Sequence, residues 1–178
     1  MQPPMRRVRY RVAASLDGYI AGPDGEIDWI VQDPTIDLAS LFTGFDTVLL
    51  GRRTYDLTRQ PGAPAWPEGW RIHVFSRTLD AAEHPGVTVV STDAGAAVAA
   101  LRSEPGRDIW LFGGGSLFAS LLAADVVDQV EVAIMPVLLG SGIPLVGGDT
   151  RARLTLTRSD ASPSGIVSLR YDVQHAAG

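Results

Sequence analysis

The chain has 178 residues, of which 46% are hydrophobic, and it carries a net charge of −5. This length is sufficient to bury a core, and we interpret residues 1–178 as a single domain. The acidic balance argues against nucleic-acid binding, so the alternating Arg7, Arg9 and Arg11 are interpreted as one solvated strand face.

The residue types present also argue against metal chemistry and membrane insertion. The sequence has no cysteine, and its three histidines are widely separated, so we expect no metal centre. We find neither the apolar core of a signal peptide nor a run long enough to span a membrane. A cytoplasmic protein is therefore expected.

The first predicted element is a strand from Val8 to Ala14, in which apolar residues alternate with arginines. The stretch from Ser15 to Gly25 is rich in glycine, proline and aspartate, which is typical of a loop that can fold over a ligand. Asp17 in this loop is either a local turn residue or a catalytic acid. The residues alone leave both roles open.

A helix is predicted next, with Asp33 and Pro34 at its entry and its end near Gly44. Asp37 lies one turn into this helix, beside its apolar face. We interpret Asp37 either as a favourable acidic residue in a first helical turn or as a carboxylate that points into a cleft.

A short apolar strand, Thr47–Leu50, leads directly into Gly51, Arg52, Arg53 and Thr54. A glycine between a strand and a helix start lets an anion approach unpaired backbone N–H groups. Arginine and threonine side chains bind phosphate oxygens. We therefore interpret this unit as an anion-binding site.

The proline-rich stretch from Gln60 to Trp70 is predicted to be an exposed loop or lid. The strand Ile72–Phe75 then ends at Ser76 and Arg77, a hydroxyl and a cation suited to a phosphate monoester such as the ribose 2′-phosphate of NADP. A further strand at 87–90 and a helix from 94 to 102, capped by Asp93, follow.

The apolar run from Asp108 to Phe112 precedes four small residues, 113–116, and then apolar residues at helical spacing. We interpret this motif as a strand, a tight glycine turn and a helix. The turn either binds a phosphate at the helix start or serves only for close packing. Because two other anion-competent turns occur in the chain, the phosphate interpretation is favoured.

The remaining predicted elements are a strand from Val126 to Met135, an apolar loop and a closing antiparallel hairpin at 153–157 and 166–173. Strands alternate with helices before this hairpin, so the fold class is α/β with a mixed sheet. The apolar segments Val137–Leu139 and Ile143–Val146 either form a patch that suits a twofold interface or pack inside the protein.

Five segments, taken in their order and spacing, resemble the dihydrofolate reductase superfamily. They are Ala13–Gly18, Gly51–Tyr55, Phe75–Thr78, Phe112–Phe118 and Pro136–Gly142. The likeness is greatest to the reductase domain that forms the C-terminal half of the bacterial riboflavin-pathway bifunctional deaminase-reductase, and to its stand-alone relatives. It implies a dihydrofolate reductase-like three-layer α/β/α fold around a mixed, mostly parallel sheet of about eight strands that ends in an antiparallel C-terminal hairpin.

The resemblance also implies that NADPH lies across the strand ends. The residues it assigns to the cofactor phosphates are Gly51, Arg52, Arg53 and Thr54 at one helix start, Gly113, Gly114, Gly115, Ser116 and Leu117 at the other, and Ser76 and Arg77 at the 2′-phosphate. Those assigned to the nicotinamide are Ala14, Ile20 and Ala21. Asp37 and Asp17 are the two candidates for a catalytic acid, the first by comparison with dihydrofolate reductases and the second with the riboflavin-type reductases.

The function implied is an NADPH-dependent oxidoreductase that transfers hydride to a small polar heterocycle or a ribosylamino-pyrimidine, as 5-amino-6-(5-phosphoribosylamino)uracil reductase does. The alternatives are a true dihydrofolate reductase that acts on a pterin and a non-catalytic NADP-binding module. The expected partners are a small-molecule substrate and a second copy of the chain, as a homodimer. We expect neither nucleic acid nor a membrane as a partner.

Overall fold

The computed structural model describes residues 5–63 and 65–175. Over these residues the chain forms ten strands and three α-helices. The strands are β1 (Val8–Ser15), β2 (Tyr19–Ala21), β3 (Phe45–Gly51), β4 (Arg71–Phe75), β5 (Thr88–Val90), β6 (Asp108–Gly113), β7 (Gln129–Met135), β8 (Ile143–Pro144), β9 (Leu154–Ala161) and β10 (Val167–Val173). The α-helices are α1 (Arg52–Thr58), α2 (Ala94–Ser103) and α3 (Gly115–Ala123), and within the described ranges no helix has the length and apolar character needed to cross a membrane.

Eight strands form one sheet in the order β5, β4, β3, β6, β1, β7, β10, β9, and β2 pairs separately with β8. The strands from β5 to β7 in this order are parallel to their neighbours, whereas β10 and β9 are antiparallel. The mixed, mostly parallel sheet with a closing antiparallel hairpin is thereby confirmed.

Helices cover the sheet on both faces because alternate strand residues point in opposite directions. Leu49 of β3 packs in one core with Phe118 of α3 and Val98 of α2, and the ring of Phe118 stacks on Tyr10 at 3.8 Å. Leu50, the next residue of β3, packs in the second core with Tyr55 of α1. The layers are therefore α/β/α.

An aromatic cluster occupies the α1 side of the sheet. The loop residues Trp66 and Trp70 contact Trp110 of β6 with ring centroids 6.0 and 6.2 Å apart, and Trp66 also meets Phe112 at 5.2 Å. The stretch predicted to be an exposed loop or lid has neither helix nor strand over residues 60–63 and 65–70. Its two tryptophans are half-buried, so these aromatic contacts fix the stretch to the sheet.

The solvated strand face expected for the first arginines is wrong for two of them. Arg9 and Arg11 are largely buried and both pair with Glu131, a buried carboxylate on the adjacent strand β7. Arg7 is about half exposed and pairs with Asp172. Arg9 and Arg11 can be buried because the neighbouring strand β7 supplies a negative charge that pairs with them.

The helix predicted between residues 34 and 44 is also wrong. Only a short 3₁₀ helix forms there, over Leu38–Phe42. Before it, Asp33 accepts hydrogen bonds from the backbone nitrogen and hydroxyl of Thr35 at 2.8 and 2.6 Å. Short polar side chains of this kind compete with helical hydrogen bonds, which explains why the regular helix does not form.

Candidate active site

The residues predicted to bind a ligand gather at one edge of the sheet. The strands β4, β3, β6 and β1 are consecutive neighbours and parallel, so their carboxyl ends meet at that edge. Leu50 lies opposite Gly113, and Gly51 lies opposite Phe75. The register therefore places the two glycine turns beside each other. It also places the residues that follow Phe75 next to the turn at Gly51.

The two glycine turns are in direct contact. A β-carbon added to Gly51 would lie 3.7 Å from both the carbonyl oxygen of Gly113 and the nitrogen of Gly114. Gly51 is the N-cap of α1 and Gly114 is the N-cap of α3. Among the described residues, no side chain of either cap residue accepts a hydrogen bond from the first turn of its helix. Two helix starts with unpaired N–H groups therefore lie side by side.

The glycines of the second turn differ in what surrounds them. A β-carbon on Gly114 would meet only the Thr54 hydroxyl oxygen within 4 Å, at 3.6 Å. A β-carbon on Gly115 would lie 2.5 Å from the carbonyl oxygen of Pro144. Gly115 therefore serves close packing, whereas Gly114 leaves open a small cradle that a side chain would fill. This cradle fits the approach of a phosphate oxygen to the backbone.

The polar side chains that follow Gly51 surround the start of α1. Arg52 is half-buried and its Nε donates to both oxygens of Asp56, at 3.0 and 2.8 Å. Arg53 is exposed, and Thr54 is half-buried beside Gly114. One arginine is therefore held by a carboxylate while the second is open to solvent.

The segment after β4 provides a hydroxyl and a cation at the same edge. The Ser76 oxygen accepts the backbone N–H groups of Thr78 and Leu79 at 3.2 and 3.1 Å, which forms a tight turn. Arg77 lies at the exposed tip of this turn. The turn thus presents a guanidinium group to solvent, next to a half-buried hydroxyl whose oxygen accepts two backbone N–H groups.

The residues predicted to lie beside a nicotinamide are placed together by β1 and β2. Ala14 is fully buried near the end of β1, and Ile20 and Ala21 belong to β2. The turn between these strands is tied by its backbone to a later segment, since the Leu145 nitrogen donates to the Gly18 oxygen at 2.9 Å. These residues form the side of the site next to the loop after β7.

Asp17 makes contacts that favour its ionised form. Its carboxylate accepts hydrogen bonds from the Ser15 hydroxyl at 2.6 Å and from the backbone nitrogens of Gly140 at 2.7 Å and Leu139 at 3.1 Å. The hydrogen bond from Ser15, together with those from Gly140 and Leu139, lowers the pKa of Asp17 to about 2. A group with this pKa is ionised at neutral pH and unsuited to proton donation there.

Asp37 is not inside a helix as predicted. It is exposed and forms the N-cap of the 3₁₀ helix, where its carboxylate accepts the backbone N–H of Ala39 at 3.0 Å. The absence of the expected helix removes the geometric reason for placing this carboxylate in a cleft.

Sequence reasoning missed the aromatic wall beside the second glycine turn. Phe112 directly precedes Gly113 and is half-buried, and Trp66 from a distant loop packs edge-on against it. The apolar character of the strand is visible in the sequence, but the partner of Phe112 lies 46 positions earlier, as the numbering shows. A flat ring is a suitable ligand for such a wall.

The family relationship follows from comparison with known proteins. The model of the RibD C-terminal domain matches residues 6–168, which is most of the chain. The chain belongs to the RibD C-terminal domain family. One relative is the uncharacterized protein YyaP of Bacillus subtilis strain 168, which is 32% identical over 93% of this chain and 94% of the relative.

Two solved structures share the fold of this RibD C-terminal domain protein. One is the Thermotoga maritima diaminohydroxyphosphoribosylaminopyrimidine deaminase/5-amino-6-(5-phosphoribosylamino)uracil reductase, with a TM-score of 0.71 and 17% identity over 96% of this chain and 57% of that protein. The other is dihydrofolate reductase from Enterococcus faecalis complexed with NADP(H) and RAB-propyl, with a TM-score of 0.66 and 17% identity over 95% of each chain. The dihydrofolate reductase-like fold expected for the chain is thereby confirmed.

Proposed function

We propose that this protein is an NADPH-dependent reductase that transfers hydride to a small polar heterocycle or a ribosylamino-pyrimidine. The observation that carries the proposal is the contact between the two glycine turns at Gly51 and Gly113, which sets two helix starts side by side at the carboxyl edge of the sheet. This arrangement suits a dinucleotide, whose two linked phosphates need neighbouring anion sites.

Each part of the site has a role toward the cofactor. The backbone at Gly114 and the start of α3 would hold the linked phosphates together with Thr54 and the arginines of α1, because the Gly114 cradle is open. Arg77 and Ser76 would bind the 2′-phosphate that distinguishes NADPH from NADH. Bound NADPH supplies the hydride, so the protein's task is to hold the two reactants in a productive orientation.

Neither of the two candidate acids is suited to donate a proton, which favours a substrate whose reduction needs no buried acid. Asp17 is ionised at neutral pH because its pKa is lowered to about 2, and Asp37 is exposed at a 3₁₀ helix cap. Water is therefore the proton donor in the proposed reaction, which suits reduction of a C=N or C=O carbon in an open sugar chain.

The lack of an acid on a first helix favours the proposed reductase over a true dihydrofolate reductase. Pterin reduction in the resembling family uses an acidic residue on the first helix, and this chain forms no α-helix over the described residues between β2 and β3. The match to the RibD C-terminal domain also favours the ribosylamino-pyrimidine class. A non-catalytic NADP-binding module is the remaining alternative, and only turnover distinguishes it.

The test is an assay of NADPH oxidation with a panel of substrates. We expect the purified protein to oxidise NADPH in the presence of the phosphorylated ribosylamino-pyrimidine and to do so much more slowly with dihydrofolate. Preference for dihydrofolate would favour the pterin alternative. Tight NADPH binding without turnover on any member of the panel would favour the non-catalytic module.

We also propose that the protein is a homodimer in the cytoplasm. All eight residues of β9, the edge strand of the sheet, are exposed, including Leu156 at 52%. Leu154 and Leu156 lie opposite Val173 and Tyr171, so both point to the same face of the sheet. A long exposed edge with apolar side chains is suited to pairing with a second copy. The patch expected at Val137–Leu139 and Ile143–Val146 is the alternative interface. Leu138 is 68% exposed, whereas Leu145 and Val146 of the second segment are half-buried and pack against the core.

A further inference from the structure

Asp17 joins the end of β1 to the loop that follows β7. The hydroxyl of Ser15 donates to one carboxylate oxygen at 2.6 Å, and the backbone nitrogens of Leu139 and Gly140 donate to the carboxylate at 3.1 and 2.7 Å. The Ser15 oxygen in turn accepts the backbone N–H of Tyr19 at 2.9 Å. These hydrogen bonds run without a break from Tyr19 to Gly140.

The surrounding connections between the same two segments are made by the backbone. The Leu16 nitrogen donates to the Val137 oxygen at 2.8 Å, and β2 pairs with β8. Asp17 adds a side-chain contact between these backbone connections, at the point where the loop turns at Gly140. The φ of +74° at Gly140 is in the left-handed region, which glycine adopts without strain and which turns the loop back toward the carboxylate.

This latch, formed by Ser15, Asp17, Leu139 and Gly140, lies among the residues assigned to the nicotinamide. Ser15 is fully buried and directly follows Ala14, and Tyr19 directly precedes Ile20. The contacts of Ser15 with Asp17 and Tyr19 therefore fix the end of β1 relative to the start of β2. Through Ser15, Asp17 is thus connected to the segments on both sides of the proposed nicotinamide position.

We propose that Asp17 is a positioning residue, whose carboxylate locks the loop at residues 137–140 onto the end of β1 and thereby fixes Ala14 and Ile20 for the nicotinamide. Asp17 does not touch the reacting atoms in this role. The role rests on the proposed function, because it requires a nicotinamide beside these two residues.

The carboxylate is the group that this position needs. All the neighbouring groups are donors, namely one hydroxyl and two backbone N–H groups, so an acceptor-only side chain satisfies each of them. Asparagine has nearly the same shape, but it replaces one acceptor oxygen by an NH₂ donor. If that NH₂ group faces Leu139 and Gly140, donor meets donor; if it faces the Ser15 oxygen instead, the two backbone N–H groups donate to a neutral oxygen at the position that accepts both of them now. The contacts to Leu139 and Gly140 are weakened in either case, because hydrogen bonds to a charged acceptor are stronger than those to a neutral one.

The experiment compares wild type with Asp17→Asn and with a matched control, Asp33→Asn. Asp33 is also hydrogen-bonded by hydroxyl and backbone groups, from Thr35 and Ser164, and its pKa is likewise lowered to about 2. Amide hydrogen exchange of Leu139 and Gly140 is measured without ligand. The NADPH dissociation constant and the pH profile of turnover are measured on the same three proteins.

We expect Asp17→Asn to raise the exchange rates of the Leu139 and Gly140 amides about tenfold, whereas Asp33→Asn leaves them unchanged. We expect the NADPH dissociation constant of Asp17→Asn to rise about fivefold, because the residues beside the nicotinamide are less well positioned. The pH profile of its turnover should keep its shape, because the proton donor is unchanged. Wild-type exchange rates in Asp17→Asn would overturn the latch.

Two further outcomes would overturn the positioning role. One is a wild-type NADPH dissociation constant in an Asp17→Asn protein whose amides exchange faster. The other is a loss of turnover with unchanged NADPH affinity, which would indicate an acid. If wild type itself does not bind NADPH, the proposed function fails and the positioning role fails with it, but the exchange data still decide whether the latch exists.

Discussion

Gly51 lies next to Gly113 across the sheet, where a β-carbon on Gly51 would be in ordinary van der Waals contact with the Gly113 carbonyl oxygen, at 3.7 Å. This contact is possible because β3 and β6 are parallel neighbours whose ends are in register. It sets the starts of α1 and α3 side by side, and each start offers unpaired backbone N–H groups. The proposed binding of linked phosphates depends on this arrangement.

The second glycine turn allows a test in which two similar substitutions have different effects. Gly114→Ala places a methyl group in the open cradle, 3.6 Å from the Thr54 hydroxyl oxygen, so we expect a folded protein whose NADPH affinity falls about tenfold. Gly115→Ala places the methyl group 2.5 Å from the Pro144 carbonyl oxygen, so we expect a loss of stability of about 1–3 kcal/mol. Urea denaturation and NADPH titration measure the two effects.

This pair of variants separates a phosphate cradle from a simple packing turn. Unchanged NADPH affinity in a well-folded Gly114→Ala protein would contradict the cradle. A Gly115→Ala protein as stable as wild type would contradict the close contact of Gly115 with Pro144 of β8.

Arg6 is expected to contribute strongly to stability. Its side chain is 1% exposed, pairs with Asp46, and donates to the Thr47 hydroxyl at 2.6 Å. Arg6→Met removes the buried guanidinium that lies nearest to Asp46 and leaves this carboxylate with the more distant Arg71, at 3.9 Å, so we expect the free energy of unfolding to fall by about 3–5 kcal/mol. Arg7→Met is the control, because Arg7 forms an ion pair with Asp172 in which both side chains are about half exposed, and we expect a loss below about 1 kcal/mol.

The free energies of unfolding of the two variants are measured by urea denaturation. Equal decreases in Arg6→Met and Arg7→Met would show that burial of the Arg6 ion pair does not determine its contribution to stability. A loss confined to Arg6→Met would support the stabilising role of the buried pair.

These examples show which parts of the molecule can be predicted from sequence. The glycine turns are recognisable because a strand, a glycine and a helix start are adjacent in the chain, and Asp93 is recognisable as a cap for the same reason, since it accepts the Ala96 N–H at 2.8 Å. Glu131 is not recognisable as the partner of Arg9, because the two residues are 122 positions apart. Contacts across a sheet depend on strand order, which local patterns do not reveal.

The helix expected at residues 34–44 does not form, for a local reason. Its apolar spacing indicates a helix, but the side chain of Asp33 accepts a hydrogen bond from the Thr35 backbone nitrogen, and the Ser40 hydroxyl donates to the backbone carbonyl oxygen of Asp37 at 2.6 Å. Such side-chain bonds favour turns over helix, and spacing alone does not account for this competition.

The hydrogen bonds of Asp33 are expected to make stability depend on pH in the acid range. The hydrogen bond from the Ser164 hydroxyl, followed by those from Thr35, lowers the pKa of Asp33 to about 2, below its ordinary value of 3.8. A depressed pKa stabilises the folded protein above the ordinary value, and this contribution is lost as the pH falls toward 2. We expect the melting temperature of wild type to exceed that of Asp33→Asn near neutral pH.

The difference between these two proteins should shrink as the pH falls from about 4 to about 2, because Asp33 then takes up a proton first in the unfolded chain and, nearer pH 2, in the folded protein as well. Thermal melts followed by circular dichroism across this range provide the measurement. A difference that stays constant with pH would show that ionisation of Asp33 does not contribute.

The proposed dimer interface at β9 can be located with two leucine substitutions. We expect wild type to sediment at about twice the monomer mass of 19.0 kDa and Leu156→Lys to shift toward the monomer, because a charge on the exposed edge strand opposes pairing. Leu138→Lys is the matched variant on the other exposed apolar segment. A monomeric wild type would contradict the dimer, and dissociation caused by Leu138→Lys alone would place the interface on that segment.

Binding of NADPH at the edge formed by Gly51, Gly113 and Arg77 underlies the proposed reaction. It can be measured by titrating wild type and Arg77→Ala with NADPH and with NADH, with Arg151→Ala as a control for loss of an exposed arginine elsewhere. We expect wild type to bind NADPH at least about tenfold more tightly than NADH, and Arg77→Ala to lose this preference while its NADH affinity is unchanged. Equal affinities of wild type for the two cofactors, or a preference for NADH, would contradict NADPH binding at this edge.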